Sequence, residues 1–226
     1  MLYELRVYYA NPGKLPLLNA RFENHTCGFF GEHGIGMLGF WTDEIGTSNK
    51  LTYILSFDSM ADREDKWASF GADPRWQEVR AETEKDGPFL THITNAFLRT
   101  TPYSPEPKVD TNVQEMRVYH AMPGMLPSLN ARFENHTMRL FEKHGISNVG
   151  YWTEDVGTSN QLVYMLGYDG LGNREKSWAG FQSDPDWQKA RAASEENGPL
   201  VRMSQSSILR PTQLVSYTHL TLPTKA

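Results

Sequence analysis

The chain of 226 residues contains its own copy: at an offset of 111 residues it overlays itself without a gap. Glu4-Leu5-Arg6-Val7-Tyr8 meets Glu115-Met116-Arg117-Val118-Tyr119, and the run from Asn19 to Thr26 meets an identical run from Asn130 to Thr137. Gly46-Thr47-Ser48-Asn49 recurs at Gly157 to Asn160, and Asp73-Pro74 and Trp76-Gln77 recur at Asp184-Pro185 and Trp187-Gln188. About half of the aligned positions are identical. Two copies are too few for a solenoid, whose repeats bury their faces by stacking three or more deep. A duplicated unit of roughly 100 residues is instead the size of a small domain, and a tandem pair predicts the fused form of a twofold dimer.

The first module spans residues 1–100 and the second 112–211, joined by a linker, 101–111, whose Pro102, Pro105 and Pro107 keep it extended and out of any helix. Tyr3 to Tyr9 alternates as a strand does. Pro12-Gly13 turns the chain into a helix from about Lys14 to His33, with Leu15, Leu18, Phe22, Thr26 and Phe29 along one stripe, and Gly34 ends it. Strands follow at Leu38 to Thr42 and Leu51 to Phe57, then a short helix with Trp67 and Phe70. Asp73-Pro74 caps a further helix that carries Trp76, Val79 and Thr83 and stops before Gly87-Pro88, and a last strand runs from Thr91 to Arg99. The order is βαββαβ. The predicted fold is therefore α+β: two tandem ferredoxin-like modules packed sheet to sheet as a pseudo-dimeric α/β barrel. Leu51, Tyr53, Leu55 and Phe57, with Leu5 and Val7, are placed under the helices. Glu4, Arg6 and Tyr8, with Glu115, Arg117 and Tyr119 and with Thr52 and Ser56, are placed in the barrel interior, where Glu–Arg pairing would offset their burial.

Polar residues on the buried helix stripe are the candidates for chemistry. At about 100° per residue, Asn19, His25 and Thr26 fall near Phe22, with Arg21 on the flank. A binding site is expected between helix and sheet at Asn19, Arg21, His25, Thr26 and Tyr53, and again at Asn130, Arg132, His136, Thr137 and Tyr164. The competing reading is a core histidine bonded to a strand carbonyl or to Tyr53. His33 and His144 precede glycines at helix ends, where a histidine suits the helix dipole. The Trp67/Trp76 and Trp178/Trp187 pairs read as helix-to-sheet packing, with a stacking platform for a ligand as the rival. No spacing of His, Cys or carboxylates suggests a metal site, and no phosphate loop, nucleophile elbow or dinucleotide fingerprint is present. No cofactor is expected and no catalytic residue is assigned.

The totals exclude other classes. A net charge of −5 argues against nucleic acid as a partner. No apolar run reaches the ~20 residues that span a bilayer. The single cysteine, Cys27, rules out an intrachain disulfide and suits a reducing cytoplasm, and the opening residues read as a strand rather than a targeting segment. Residues 212–226 fall outside the repeat; Gln213 to Ala226 reads as non-native or disordered chain, and its deletion is expected to leave the melting temperature unchanged.

The Glu-x-Arg-x-Tyr opening strand, the long helix with its Asn-His-Thr core, the Asp-Pro-x-Trp-Gln helix start and the module length resemble the NIPSNAP domain, over residues 2–100 and 113–210. The resemblance implies membership of the dimeric α/β barrel superfamily but supplies no reaction. Some members look like mitochondrial proteins with roles in mitophagy or vesicle traffic, two-module members look like bacterial proteins, and the wider superfamily includes cofactor-free oxygenases and haem enzymes whose catalytic residues cannot be placed on this chain. The first functional reading is a cytoplasmic small-molecule-binding protein with an internal pseudo-dimer, further homo-oligomerisation being left open. The alternatives are a cofactor-independent oxygenase or isomerase and a non-catalytic interaction scaffold.

Overall fold

A computed structural model describes residues 1–212; the expectations for the tail from Gln213 lie outside the described residues. The chain forms two compact units, the first holding most of residues 1–97 and the second most of 98–210. Each follows the expected βαββαβ order. The first runs β1 (Leu2–Ala10), α1 (Leu15–Arg21), a π-helical turn (Phe22–Thr26), α2 (Cys27–Glu32), β2 (Gly36–Ile45), β3 (Lys50–Phe57), α3 (Met60–Ala72), α4 (Pro74–Thr83) and β4 (Leu90–Thr100). The second repeats it as β5 (Val113–Ala121), α5 (Leu126–Arg132), a π turn (Phe133–Thr137), α6 (Met138–Lys143), β6 (Ser147–Val156), β7 (Gln161–Tyr168), α7 (Leu171–Ser183), α8 (Pro185–Ser194) and β8 (Val201–Pro211). The strands lie in the order β4-β1-β3-β2 in the first unit and β8-β5-β7-β6 in the second.

Local chemistry accounts for the element ends. Gly34 and Gly145, at φ 69° and 72°, take the left-handed conformation that stops the long helices. The Asp73 side chain accepts from the Arg75 N–H and caps α4, with Pro74 in its first turn. Ser59 accepts from the Asp62 N–H and starts α3, which at 13 residues is longer than the short helix expected. Each core lies between the helices and one face of its sheet. In the first unit it gathers Leu18, Phe22, Phe30, Phe40, Tyr53 and Phe70, among others. In the second, Leu129, Phe133, Phe141, Tyr151, Tyr164 and Phe181 take the same places.

The facing of the first strand differs from the sequence expectation. Arg6 sits opposite Tyr53, Glu4 opposite Leu55 and Tyr8 opposite Leu51, and cross-strand partners share a face. Glu4, Arg6 and Tyr8 therefore lie under the helices, as do Glu115, Arg117 and Tyr119, which face Leu166, Tyr164 and Leu162. They do not form the barrel-interior set, and the two Glu–Arg pairs do not form one cluster: each is completed within its own unit. Leu5 and Val7, opposite Ile54 and Thr52, take the other face. Polarity could not choose correctly because the central strands are buried on both sides; β7 is buried at all eight positions. The segment 101–111, expected as a linker, is docked on the second unit. The Thr101 N–H donates to the Tyr151 carbonyl at 2.9 Å, and the Tyr103 hydroxyl donates to Asn130 Oδ1 at 2.9 Å.

Candidate functional site

The floor of the site is the row of alternate side chains on β1. Glu4 is fully buried and Arg6 nearly so. Arg6 donates to Glu4 through Nη1, to the Tyr53 hydroxyl through Nε at 2.9 Å and to the Tyr8 hydroxyl at 3.3 Å. Arg63 of α3 donates twice to Glu4, at 2.9 and 3.1 Å, and Asn95 adds a third donor at 3.1 Å. Burial alone would raise the Glu4 carboxyl. The bonds from Arg63 and the charges of Arg6 and Arg63 outweigh it and hold the group below the usual carboxylate range. Burial pushes the Tyr53 hydroxyl well above its ordinary range, so it stays protonated beside the guanidinium. The second unit repeats the arrangement with Arg117 on Glu115, Tyr164 and Tyr119 and Arg174 on Glu115 at 2.9 and 3.0 Å.

The long helix forms one wall, and its π turn decides what points inward. The Cys27 N–H bonds to the Phe22 carbonyl, five residues back, and the Thr26 hydroxyl donates to the Arg21 carbonyl at 3.3 Å. A turn closed at i+5 advances each residue by roughly 85° instead of about 100°. Four steps from Phe22 then bring Thr26 back to the buried face, whereas three steps leave His25 pointing away. Thr26 is buried and His25 exposed, and Thr137 and His136 repeat the pair.

Helices α3 and α4 close the site. Trp67 and Phe70 come from α3, and Trp76, Arg80 and Glu84 follow at four-residue spacing along and just beyond α4, the spacing of one helix face. The Arg6 guanidinium lies 4.4 Å from the centre of the Trp67 ring. Arg21 lies 5.6 Å from that of Trp76 and 4.8 Å from Phe89, distances at which a cation is attracted to the ring face. Arg21 donates to Glu84 at 2.7 Å, and its Nε is buried without a hydrogen-bond partner among the described residues. Between these walls is a cavity of about 470 Å³. Its counterpart in the second unit, about 510 Å³, is walled by Arg117, Tyr119, Arg132, Trp178, Trp187 and Glu195 among others.

Of the expected site residues, the structure brings Arg21 and Thr26, and Arg132, Thr137 and Tyr164, to the cavity walls. Tyr53 stands behind Arg6 rather than on the wall. Asn19 and Asn130 are half-buried and off the walls; Asn130 accepts from Tyr103. The histidines are corrected: His25 and His136 face solvent because of the π turn. His33 and His144 instead pin the helix ends to the α3–α4 and α7–α8 junctions, bonding Asp73 at 3.1 Å and Asp184 at 2.7 Å. The tryptophan pairs both pack and line the cavities. Arg80 and Glu84 were missed, although the sequence held a signal for them. Both recur as Arg191 and Glu195, while their neighbours Glu78, Glu82 and Lys85 become Lys189, Ala193 and Glu196.

Comparison with known proteins places the chain in a family. The NIPSNAP family model matches residues 3–105 and again 114–215. A protein NipSnap homolog of Dictyostelium discoideum is 25% identical over 205 residues, covering 87% of this chain and 82% of that protein. An uncharacterized NIPSNAP domain protein from Burkholderia xenovorans is 27% identical, with 47% of this chain and all of that one covered, at a TM-score of 0.40. A putative monooxygenase from Fusobacterium nucleatum, 11% identical, covers 93% of this chain and 91% of its own at a TM-score of 0.61. At that identity the likeness establishes the fold alone, and the fold is the one the repeat implied, two ferredoxin-like modules of the dimeric α/β-barrel class. The chain belongs to the NIPSNAP family and carries two NIPSNAP domains in tandem.

Proposed function

We propose that each module binds a small organic molecule in the cavity between its helices and sheet. The observation that carries this reading is an internal one. Of the fifteen residues lining the first cavity, all but Gly71, Leu90 and Ile93 recur in the second module, against about half of positions overall. Core packing would keep buried rings alike, but Arg80 and Arg191 are exposed, and packing alone leaves exposed positions free to differ. A cleft of this size falls in the range of ligand sites. The reading includes a cytoplasmic location, supported by the lone cysteine Cys27, whose half-buried thiol is pushed up to about 12 by burial. No helix among the described residues is long and apolar enough to cross a membrane.

The test is a thermal-shift screen of the full chain against a fragment library of acids, amides, amines and alcohols, repeated on Gly71→Trp/Gln182→Trp. A side chain at Gly71 meets no atom within 4 Å of its Cβ, so the bulky ring is expected to close the mouth without disturbing the fold. A bound ligand at ~100 times its Kd stabilises by about 2.7 kcal/mol, several degrees of melting temperature. Stabilisation of the parent that is absent in the double variant supports the reading. No hit, or hits that survive in the double variant, sinks it.

A further inference from the structure

Resting on the binding reading above, we infer that the ligand is an aromatic carboxylic acid bound as its anion, with its ring between the tryptophans and its carboxylate on the buried arginine of the long helix. The charges of the walls point there. Arg6, Arg21 and Arg80 line the first cavity against one lining carboxylate, Glu84. Glu4, behind the wall, is already shared by Arg6 and Arg63, and Glu84 is shared by Arg21 and, at 3.7 Å, Arg80. Each carboxylate thus faces two guanidiniums, which leaves positive charge in excess. The second cavity repeats the imbalance, with Arg117, Arg132, Arg191 and Arg202 against Glu195. This is a local property, because the chain as a whole carries a net charge of −5.

Arg21 and Arg132 are the anchors. Each is 5% exposed, and each keeps a buried Nε with no partner among the described residues. A buried cation with donors unfilled is costly unless something completes it, and a planar guanidinium fork matches a carboxylate better than it matches a neutral group. Six of the eleven uncharged lining residues are aromatic: Tyr8, Phe22, Phe30, Trp67, Phe70 and Trp76. Such faces favour a flat, conjugated body, and in this low-dielectric setting an ion pair is strengthened relative to water.

The experiment is isothermal titration of the full chain with 2-naphthoate and with its uncharged isostere 2-naphthamide, on the parent and on Glu84→Gln and Arg80→Gln. Arg80 is exposed, and glutamine at position 84 keeps an acceptor oxygen for Arg21, so both variants are expected to fold, with a loss of stability in Glu84→Gln that a urea titration run beside the binding experiment measures. Naphthoate is expected to bind at two sites per chain at least about 10-fold tighter than the amide, the worth of a charged hydrogen bond. Glu84→Gln should tighten naphthoate several-fold and Arg80→Gln should loosen it, with no gain of affinity for the amide in Glu84→Gln. A gain of affinity on removing a carboxylate is a result that general damage cannot produce. Equal affinity for acid and amide, or no response to Glu84→Gln, overturns the anionic assignment and leaves the binding reading standing. The same holds if neither naphthyl probe binds while other fragments still occupy the cavity. If no compound binds there at all, the binding reading falls as well.

Discussion

Replacing Glu4 by glutamine tests the assignment of the first-strand charges to the helix side. The side chain is fully buried and receives Arg6, both donors of Arg63, and Asn95. Glutamine keeps the volume and one acceptor oxygen, but it removes the charge and turns an amide donor toward Arg63. The Arg63 side chain, 22% exposed, can turn partly to water; that of Arg6, 9% exposed, cannot. Removing one partner of a buried ion pair costs about 3–5 kcal/mol, which in a protein of this length lowers the melting temperature by roughly 6–20 °C. Calorimetry at pH 7 on parent and variant measures it. The double change Glu4→Leu/Arg6→Met, which removes both charges, is expected to cost less than Glu4→Gln alone. The pH dependence has a definite sign. Because the folded-state value of Glu4 lies below its ordinary 4.5, its stabilisation is full above that pH and is lost as pH falls through the folded value. The gap between parent and variant should therefore narrow below about pH 4.5. A loss under about 1 kcal/mol at neutral pH, the scale of an exposed pair, would refute the buried network.

Other outcomes follow from the same geometry. His25→Ala and His136→Ala alter exposed positions and are expected to shift stability by no more than about 0.5 kcal/mol by urea titration; a loss near 2 kcal/mol would mean that the imidazoles are buried after all. Gly39→Ala brings a Cβ to 2.6 Å from the fully buried Trp41 ring, and a destabilisation of about 1–3 kcal/mol is expected in the same assay, with Gly150→Ala against Trp152 as its twin. The two cavities should also differ in preference, since Arg202 and Gln182 stand in the second where Thr91 and Gly71 stand in the first. With Gly71→Trp closing the first site, titration should show 2,6-naphthalenedicarboxylate binding more tightly than naphthoate at the second. With Gln182→Trp that preference should vanish.

Much of this protein follows from its residues alone. The exact repeat of Asn19 to Thr26 and of Asp73-Pro74-x-Trp-Gln establishes two like modules. Strand alternation, helix periodicity, Gly34 and the Asp73 cap establish their element order, because these are local properties of a chain and its hydrogen-bonding groups. The presence of polar groups between helix and sheet was also legible, and Arg21 and Thr26, expected there, do lie on the cavity wall. Which face of β1 meets the helices was not. Alternation separates Glu4, Arg6 and Tyr8 from Leu5 and Val7, but it cannot rank two faces that are both buried; only the pairing of Arg6 with Tyr53 across the strands does so. The direction of His25 depended on one wide turn that a fixed angle per residue does not contain. The cavity itself needed the tertiary structure, since β1, the long helix, α3 and α4 contribute to it from positions far apart in the chain, and no local pattern records that they converge.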